Sequence, residues 1–565
     1  MIKILLVNLP GGRVPTDYPP VGISRVIEGL DPALDCEALF YDMDLLRPTF
    51  GQIRDKIRAE APQVIGFSAI LTPTYKYLKA LSLFLKKEFP DLIQVLGGEM
   101  GVIYKIILRN SAIDFCVIGQ SEPTFSALLG VLNGTGFSAD DKKPFREIRG
   151  LAFLDGGEPF FSGEETRAEA VRQINYGLLA KFTDIRHYIH EVDGNYFRNR
   201  IGPGEINDFF GLFKPENLKK NMATVFASKG CVGRCTFCHR YYKGYTTIAA
   251  EQVTEYIRRI AEERNVGLLL FQEEDFGSNA AVTAKIIAFL KQSGLNWTAS
   301  AVRAKTATEE VLKSWKEAGC VNVNFGIESC SPKMLSVMEK SARVEDNLNA
   351  LRLCNKYRIA TIIGLVIGMP GETEETIGET ISNLASVIPD DISLVYEICL
   401  NFFQAVPGTP GYDFARHMGL IGSSPREEEL YIESLHETTA NEISHYLNFT
   451  DYEKEEVLYW KDYIPMELLC AYLRKHGTLK VLKYKKSRRF YYAAVYGLFP
   501  RSIRRFLLKY YTVLRHYGVS GLADLITRKL FHQRPKVYSG TDRSLREINK
   551  YFEAGKPWPI LKKLS

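Results

Sequence analysis

The chain has 565 residues, 46% of them hydrophobic and 24% charged, with a formal net charge of +6. That length is too great for one core, so roughly two to four domains are expected. The start, MIKILLVNLP, carries one lysine, a short apolar run and no small-residue cleavage site, which argues against a signal peptide. No apolar stretch approaches the ~18–20 residues that cross a bilayer, and most of the ten cysteines stand singly in apolar runs, as buried thiols do. A cytoplasmic protein is the expectation.

From residue 1 to about 140, short apolar runs alternate with helix-length segments. Ile2–Asn8, Cys36–Tyr41, Val64–Ser68, Ile93–Leu96 and Phe115–Ile118 read as strands, and Tyr75–Phe89 as one of the helices between them. This alternation predicts a parallel, doubly wound, Rossmann-like sheet. Ligands of such sheets sit beyond the carboxyl ends of the strands, where this chain has Pro10-Gly11-Gly12, Ser68-Ala69, Gly97-Gly98 and Gly119-Gln120-Ser121-Glu122. Residues 141–221 are less regular. Gly150–Phe161 reads as a hairpin around Asp155-Gly156-Gly157, and the rest as a linker.

Between residues 222 and 422 the alternation returns. Strands are predicted at Thr224–Ala227, Gly267–Phe271, Trp297–Ala301, Val321–Phe325, Thr361–Val366 and Ser393–Phe402, with helices such as Ala250–Glu262 and Ala281–Ser293 between them. Six such repeats suggest a partial (β/α)6 barrel with its site at the strand carboxyl ends. Residues 423–565 read as helical. Between Ala471 and Gly540 there are 17 Lys and Arg against one acid, Asp524, which leaves the remainder of the chain net acidic.

The most informative segment is Ser228-Lys229-Gly230-Cys231-Val232-Gly233-Arg234-Cys235-Thr236-Phe237-Cys238. It follows a strand directly and is expected as a loop at the top of the barrel. Three thiolates this close can wrap one cuboidal cluster. A 4Fe–4S cluster takes four cysteines when fully ligated, so three leave one iron open to a small chelating molecule. Gly230 and Gly233 let the backbone close around the core. A structural zinc is the alternative, but it needs a fourth Cys or His nearby, and His239 directly follows a ligand.

This segment, with Phe237 before the last cysteine, resembles the signature of the radical S-adenosylmethionine superfamily. The resemblance extends over residues 222–419: Phe271 through Phe276 is similar to that family's acidic turn, Phe325 through Ser329 to its fourth-strand motif, Gly364 through Glu372 to the segment that packs on adenine, and Pro407 through Pro410 to a closing turn. The resemblance implies metal ligands Cys231, Cys235 and Cys238, and S-adenosylmethionine contacts at Phe237, Glu273, Arg303, Glu328 and Gly368. Glu273 would accept from the amino group and Arg303 would pair with the carboxylate. For Arg303 a solvated surface arginine, and for Glu328 a structural carboxylate, remain open.

A doubly wound domain ahead of such a barrel resembles the cobalamin-binding module of the cobalamin-dependent branch. Pro19 through Ile23, Ile65 through Ser68, Gly97-Gly98-Glu99 and Asp114 through Glu122 fall where that module has its motifs, which points to Pro19, Gly22, Ser68, Gly97, Gly98, Gly119 and Glu122. The first histidine of the chain is His187, so residues 1–186 supply no histidine lower ligand to cobalt. The bland alternative is the same fold without the cofactor.

Together these resemblances imply a radical enzyme methylating an unactivated carbon through methylcobalamin and a 5′-deoxyadenosyl radical, with both cofactors facing one cavity. The alternatives are a cobalamin-dependent cyclisation, rearrangement or adenosyl transfer on a lipid-like or tetrapyrrole-like substrate, and a non-catalytic corrinoid or iron–sulfur sensor. The expected partners are a small-molecule or lipid-like substrate and an external electron donor of flavodoxin or ferredoxin type. Tyr241, Tyr242 and Tyr245 are placed in ordinary packing, with cavity lining as the alternative. The basic, aromatic stretches Lys483–Tyr492 and Arg501–Tyr511 fit a solvated helical face or contact with the inner face of a membrane. Nucleic acid ranks behind these, since no RNA-binding module is recognisable.

Overall fold

A computed structural model describes residues 2–12, 14–69, 74–166, 170–192, 206–239, 244–435, 440, 443 and 446–530. Strands β1 (Ile2–Asn8), β2 (Cys36–Tyr41), β3 (Val64–Ser68), β4 (Ile93–Gly97) and β5 (Phe115–Val117) pair in parallel in the order β2-β1-β3-β4-β5. The near-continuous burial of Ile4–Val7 and Val64–Phe67 explains this arrangement, because parallel strands are covered by helices on both faces. The predicted hairpin forms as β6 (Leu151–Asp155) and β7 (Glu158–Phe161). It does not hang in a linker. β6 bonds antiparallel to β5 and extends the first sheet to seven strands.

The second sheet has β8 (His190–Glu191) at one edge, antiparallel to β9 (Asn221–Val225). A short ribbon of β10 (Ser228–Cys231) and β11 (Gly244–Thr247) projects from the end of β9. Then β12 (Val266–Phe271), β13 (Asn296–Val302), β14 (Cys320–Glu328), β15 (Ala360–Ile367) and β16 (Glu397–Phe402) follow in parallel with β9. Six parallel strands in the order β16-β15-β14-β13-β12-β9 make the partial barrel that the sequence pattern predicts. Helix starts are fixed by side-chain caps where the sequence offers them. Thr308 accepts from the Val311 N–H, and Thr373 and Ser424 open capping boxes.

The two sheets are joined by side chains of the connector. Tyr176 Oη donates to the Thr224 carbonyl at 3.0 Å, and the Gln173 amide brackets the backbone of Phe226. The carboxy-terminal region spans both. Its helix Pro425–Ser434 buries Glu429 against Tyr75 Oη (2.7 Å) and Lys79 of the first domain, while Lys454–His476 packs on the barrel helix Glu374–Ala385. No helix among the described residues is long and apolar enough to cross a membrane.

The basic carboxy-terminal stretches are only partly a solvated cationic face, since Lys483, Lys486, Arg488 and Arg501 are exposed and other cations are paired. Arg504 pairs with Glu467 at 2.7 Å, Arg505 with Glu374 at 2.8 Å, Arg528 with Glu455 at 2.7 Å, and Lys485 with Asp208 at 2.6 Å; Lys509 contacts Glu456. These cations turn inward onto acids. Much of what turns outward is apolar.

Candidate active site

The site lies where the carboxyl ends of both sheets face each other, as α/β folds dictate. The cysteine segment is not wholly a loop, because its first four residues are β10, paired with β11 in register Gly230↔Tyr245. Gly230 has φ +81° and Gly233 is enclosed: a Cβ on Gly233 would stand 2.6 Å from Arg303 Nη1, 3.3 Å from Cys231 Sγ and 3.7 Å from Cys235 Sγ. Glycine at 233 therefore lets the loop backbone run close against two thiols and a guanidinium that a side chain would displace. Cys238 is exposed, with its sulfur 3.7 Å from the His239 carbonyl. Phe237 turns the other way, into a cluster of Met334, Met338, Met369 and Phe403.

Among the described residues no three Cys, His, Asp or Glu side chains converge on a point that would hold a single metal ion. Burial pushes the Cys235 thiol up, and Lys340 and Arg303 oppose that from nearby. Two cations therefore face the sulfurs, which suits an anionic thiolate cluster.

The acidic turn after β12 does structural work that the sequence alone does not reveal. Glu273 accepts the Ala227 N–H, Glu274 bonds the Gly230 N–H, and Asp275 Oδ2 accepts the Val232 N–H at 3.2 Å. Three consecutive carboxylates thus hold three backbone donors, two before the first cysteine and one after it. The aromatic cluster Phe271, Phe276, Trp297 and Trp315 supports the turn from behind, with ring centroids 4.8–5.9 Å apart. Glu273 is 5% exposed and its Oε2 has no partner, and burial pushes its carboxyl up to about 8. An orphaned buried acceptor at a strand end fits the ammonium group expected there.

Arg303 is buried after β13, not solvated. Its Nη2 donates to the Lys340 carbonyl at 3.1 Å, and its Nε has no partner. Glu328, at the end of β14, pairs with Lys340 Nζ at 3.0 Å. Glu328 and Ala301 both sit at positive φ (58° and 53°), strained backbone of the kind that collects at functional sites. Gly368 also has positive φ, +81°. A Cβ there would meet the Tyr446 ring at 2.6 Å, and Tyr446 Oη donates to the Gly368 carbonyl at 3.0 Å. Tyr446 of the carboxy-terminal region therefore covers the segment expected to pack on adenine. Tyr241 and Tyr242 lie outside the described residues, and the Tyr245 hydroxyl accepts the Asn279 N–H at 3.2 Å.

In the first domain a cavity of about 120 Å³ opens at the strand carboxyl ends. Gly22, Ser68, Gly97, Gly98 and Glu122 line it, and Gly66 deepens it, since a Cβ there would strike Leu6 at 2.6 Å. At Gly98 (φ +89°) a Cβ would stand 2.5 Å from the Ala69 carbonyl oxygen, so only glycine gives this wall its path. Pro19 is buried just ahead of the helix Val21–Glu28; Gly119 takes φ +84° before the helix Ser121–Gly134. Asp114 lies elsewhere, accepting the Gln94 N–H at 2.8 Å at the opposite ends of the strands. At this volume the cavity would take the tail of the cofactor expected there, with the ring outside it at the sheet edge. One lining residue, Lys229, comes from β10 of the other domain and stands 3.6 Å from Glu122.

Comparison with known proteins agrees with this arrangement. Residues 8–129 match the B12 binding domain and residues 225–384 match the radical SAM superfamily. The chain carries a B12-binding domain followed by a radical SAM domain. It is 23% identical over 385 residues to the anaerobic magnesium-protoporphyrin IX monomethyl ester cyclase of Cereibacter sphaeroides, covering 66% of this chain but only 57% of the cyclase. It is 26% identical over 393 residues to an uncharacterised methyltransferase of Pyrococcus horikoshii, covering 67% and 77% of the two. The solved cobalamin-dependent S-adenosylmethionine radical enzyme OxsB, with aqua-cobalamin and S-adenosylmethionine bound, superposes with a TM-score of 0.58 at 18% identity, covering 98% of this chain and 81% of that one. That likeness concerns the fold: B12-binding domain, radical SAM half-barrel and helical carboxy-terminal region in one order.

Proposed function

We propose that the protein is a cobalamin-dependent radical S-adenosylmethionine enzyme that methylates an unactivated carbon of a small or lipid-like molecule. The observation that carries this reading is Lys229. Two residues before the first cluster cysteine, it lines the glycine-walled cavity of the B12-binding domain and pairs with Glu122. The segments that would hold the two cofactors are therefore in contact, as a reaction drawing on both requires. When bound, the cluster with S-adenosylmethionine supplies a carbon-centred radical that removes hydrogen, and the cobalamin supplies a methyl group.

The chain's own residues position and shield. Cys231, Cys235 and Cys238 would hold the cluster, which would supply the site for S-adenosylmethionine. Glu273 receives the ammonium on its unpartnered Oε2, and Arg303 receives the carboxylate. Lys340 neutralises Glu328 and holds it at the edge of the same recess. Gly22, Ser68, Gly97, Gly98 and Glu122 line the cavity that would take the cofactor's tail, Gly119 lies at the same sheet edge, and residues 1–186 contain no histidine to ligate cobalt. Electrons come from an external flavodoxin- or ferredoxin-type donor.

A second reading, ring closure on a tetrapyrrole-like substrate, is favoured by the similarity to the Cereibacter cyclase. One experiment separates them. The anaerobically reconstituted protein, carrying about four irons and one corrinoid, is reduced with S-adenosylmethionine and its products are quantified. Methylation consumes two molecules of S-adenosylmethionine and gives S-adenosylhomocysteine and 5′-deoxyadenosine in equal amounts. Cyclisation gives 5′-deoxyadenosine alone. Neither product, from a protein with both cofactors loaded, would end the catalytic reading.

A further inference from the structure

Sixteen of the 22 large apolar side chains exposed among the described residues fall between Leu479 and Leu530. They share a face. On the helix Arg501–Leu530, Arg504, Leu508 and Thr512 turn inward, where this helix packs on Lys454–His476. Ile503, Leu507, Tyr511 and Leu514, three or four residues apart, turn outward with Phe506. The preceding helix, Arg488–Gly497, adds Tyr491, Tyr492 and Val495, and Leu498 in the turn between the two is 82% exposed. An apolar patch this concentrated marks an interaction surface.

Charge decides what it meets. The inward ion pairs use the cations of Arg504, Arg505 and Lys509, but Lys480, Lys483, Lys486, Arg488 and Arg515 remain exposed around the apolar side chains. Between Ala471 and Gly540 the only acid is Asp524. A second copy seated on this face would bring cations onto cations. An anionic bilayer offers hydrocarbon to the apolar side chains, an interface to the tyrosines and phosphates to the rim. We infer that the helices between Thr478 and Leu514 are a peripheral docking surface for anionic membrane lipid, entered by Leu498, Ile503, Phe506, Leu507 and Tyr511. This differs from a basic face laid on headgroups, because the apolar side chains lead and the cations frame them. It does not depend on the catalytic reading.

The test is flotation of the full chain with vesicles of phosphatidylcholine, with and without phosphatidylglycerol. The wild type is expected to float with the anionic vesicles and to be released by high salt. The exposed-site variant Leu498→Ser with Phe506→Ser should lower binding about tenfold or more with an unchanged melting temperature, whereas Leu430→Ser, an exposed leucine elsewhere, should not. A wild type that fails to float, or floats equally on neutral vesicles, overturns the inference. So does a concentration-dependent dimer in light scattering that the Leu498 and Phe506 substitutions split, since that assigns the face to a second copy.

Discussion

Replacing Glu273 by Gln tests the most consequential contact in the site. The side chain is 5% exposed, one oxygen accepts the Ala227 N–H, the other has no partner, and burial pushes the carboxyl up from 4.5 to about 8. Between those values the folded, cofactor-free protein holds a proton on Glu273 that the unfolded chain has released. Stability must therefore fall as pH rises from 4.5 to 8, by ~1.4 kcal/mol per unit, and no further above that. From pH 5.5 to 7.5 this is roughly 2–3 kcal/mol, because protonation is incomplete at each end. Glutamine keeps an acceptor for Ala227 and does not titrate. Urea unfolding followed by the fluorescence of Trp297 and Trp315, which stack behind the turn, should show the wild type losing this increment relative to Glu273→Gln. Glu372, also pushed up to about 8 by burial, has the same sign in both proteins and cancels in the difference. In the reconstituted enzyme the same variant loses a charge-assisted bond to the ammonium of S-adenosylmethionine, worth ~1.5–3 kcal/mol, so its affinity should drop about 10- to 150-fold. Parallel pH curves for the two proteins, together with unchanged affinity, would refute the assignment of Glu273.

Cys235→Ala should lose its iron while keeping the corrinoid, as read by metal analysis and absorption spectra; zinc in the wild type in place of iron would sink the cluster reading. Gly98→Ala forces a side chain onto φ +89° and into the Ala69 carbonyl. It should cost at least ~1–3 kcal/mol and lower corrinoid occupancy with iron unchanged, and normal corrinoid content would move the cofactor away from this cavity. Arg504→Met alone strands buried Glu467 and should destabilise by ~3–5 kcal/mol, whereas Arg504→Met with Glu467→Met should recover most of that. Equal losses in the single and double variants, measured by denaturant melts, would show that the pair is not coupled.

The central parallel strands were legible because each is buried on both faces and announces itself as a short apolar run. Predicted Val64–Ser68 and Thr361–Val366 fall on or within the observed strands, and Gly368 just after the second marks the site edge. Three features were not legible, for one physical reason: each is a pairing between residues distant in the chain. Nothing local makes Ser228–Cys231 a strand; it is one because Gly244–Thr247 supplies its partner. Glu273, Glu274 and Asp275 read as an acidic turn, and only the approach of β12 to the cysteine segment shows that each carboxylate holds a backbone donor there. The basic stretch 501–511 reads as a solvated face, yet Arg505 finds Glu374 131 residues away. A charge run is outward only if no complementary acids reach it, and here the helix Lys454–His476 carries them. The same consideration gives Lys229 its weight. In the sequence it is one cation beside a cysteine motif, but its pairing with Glu122 ties the strand that leads into that motif to the cavity of the other domain. A substitution such as Lys229→Met should therefore disturb corrinoid and cluster together, which no contact internal to either domain would do.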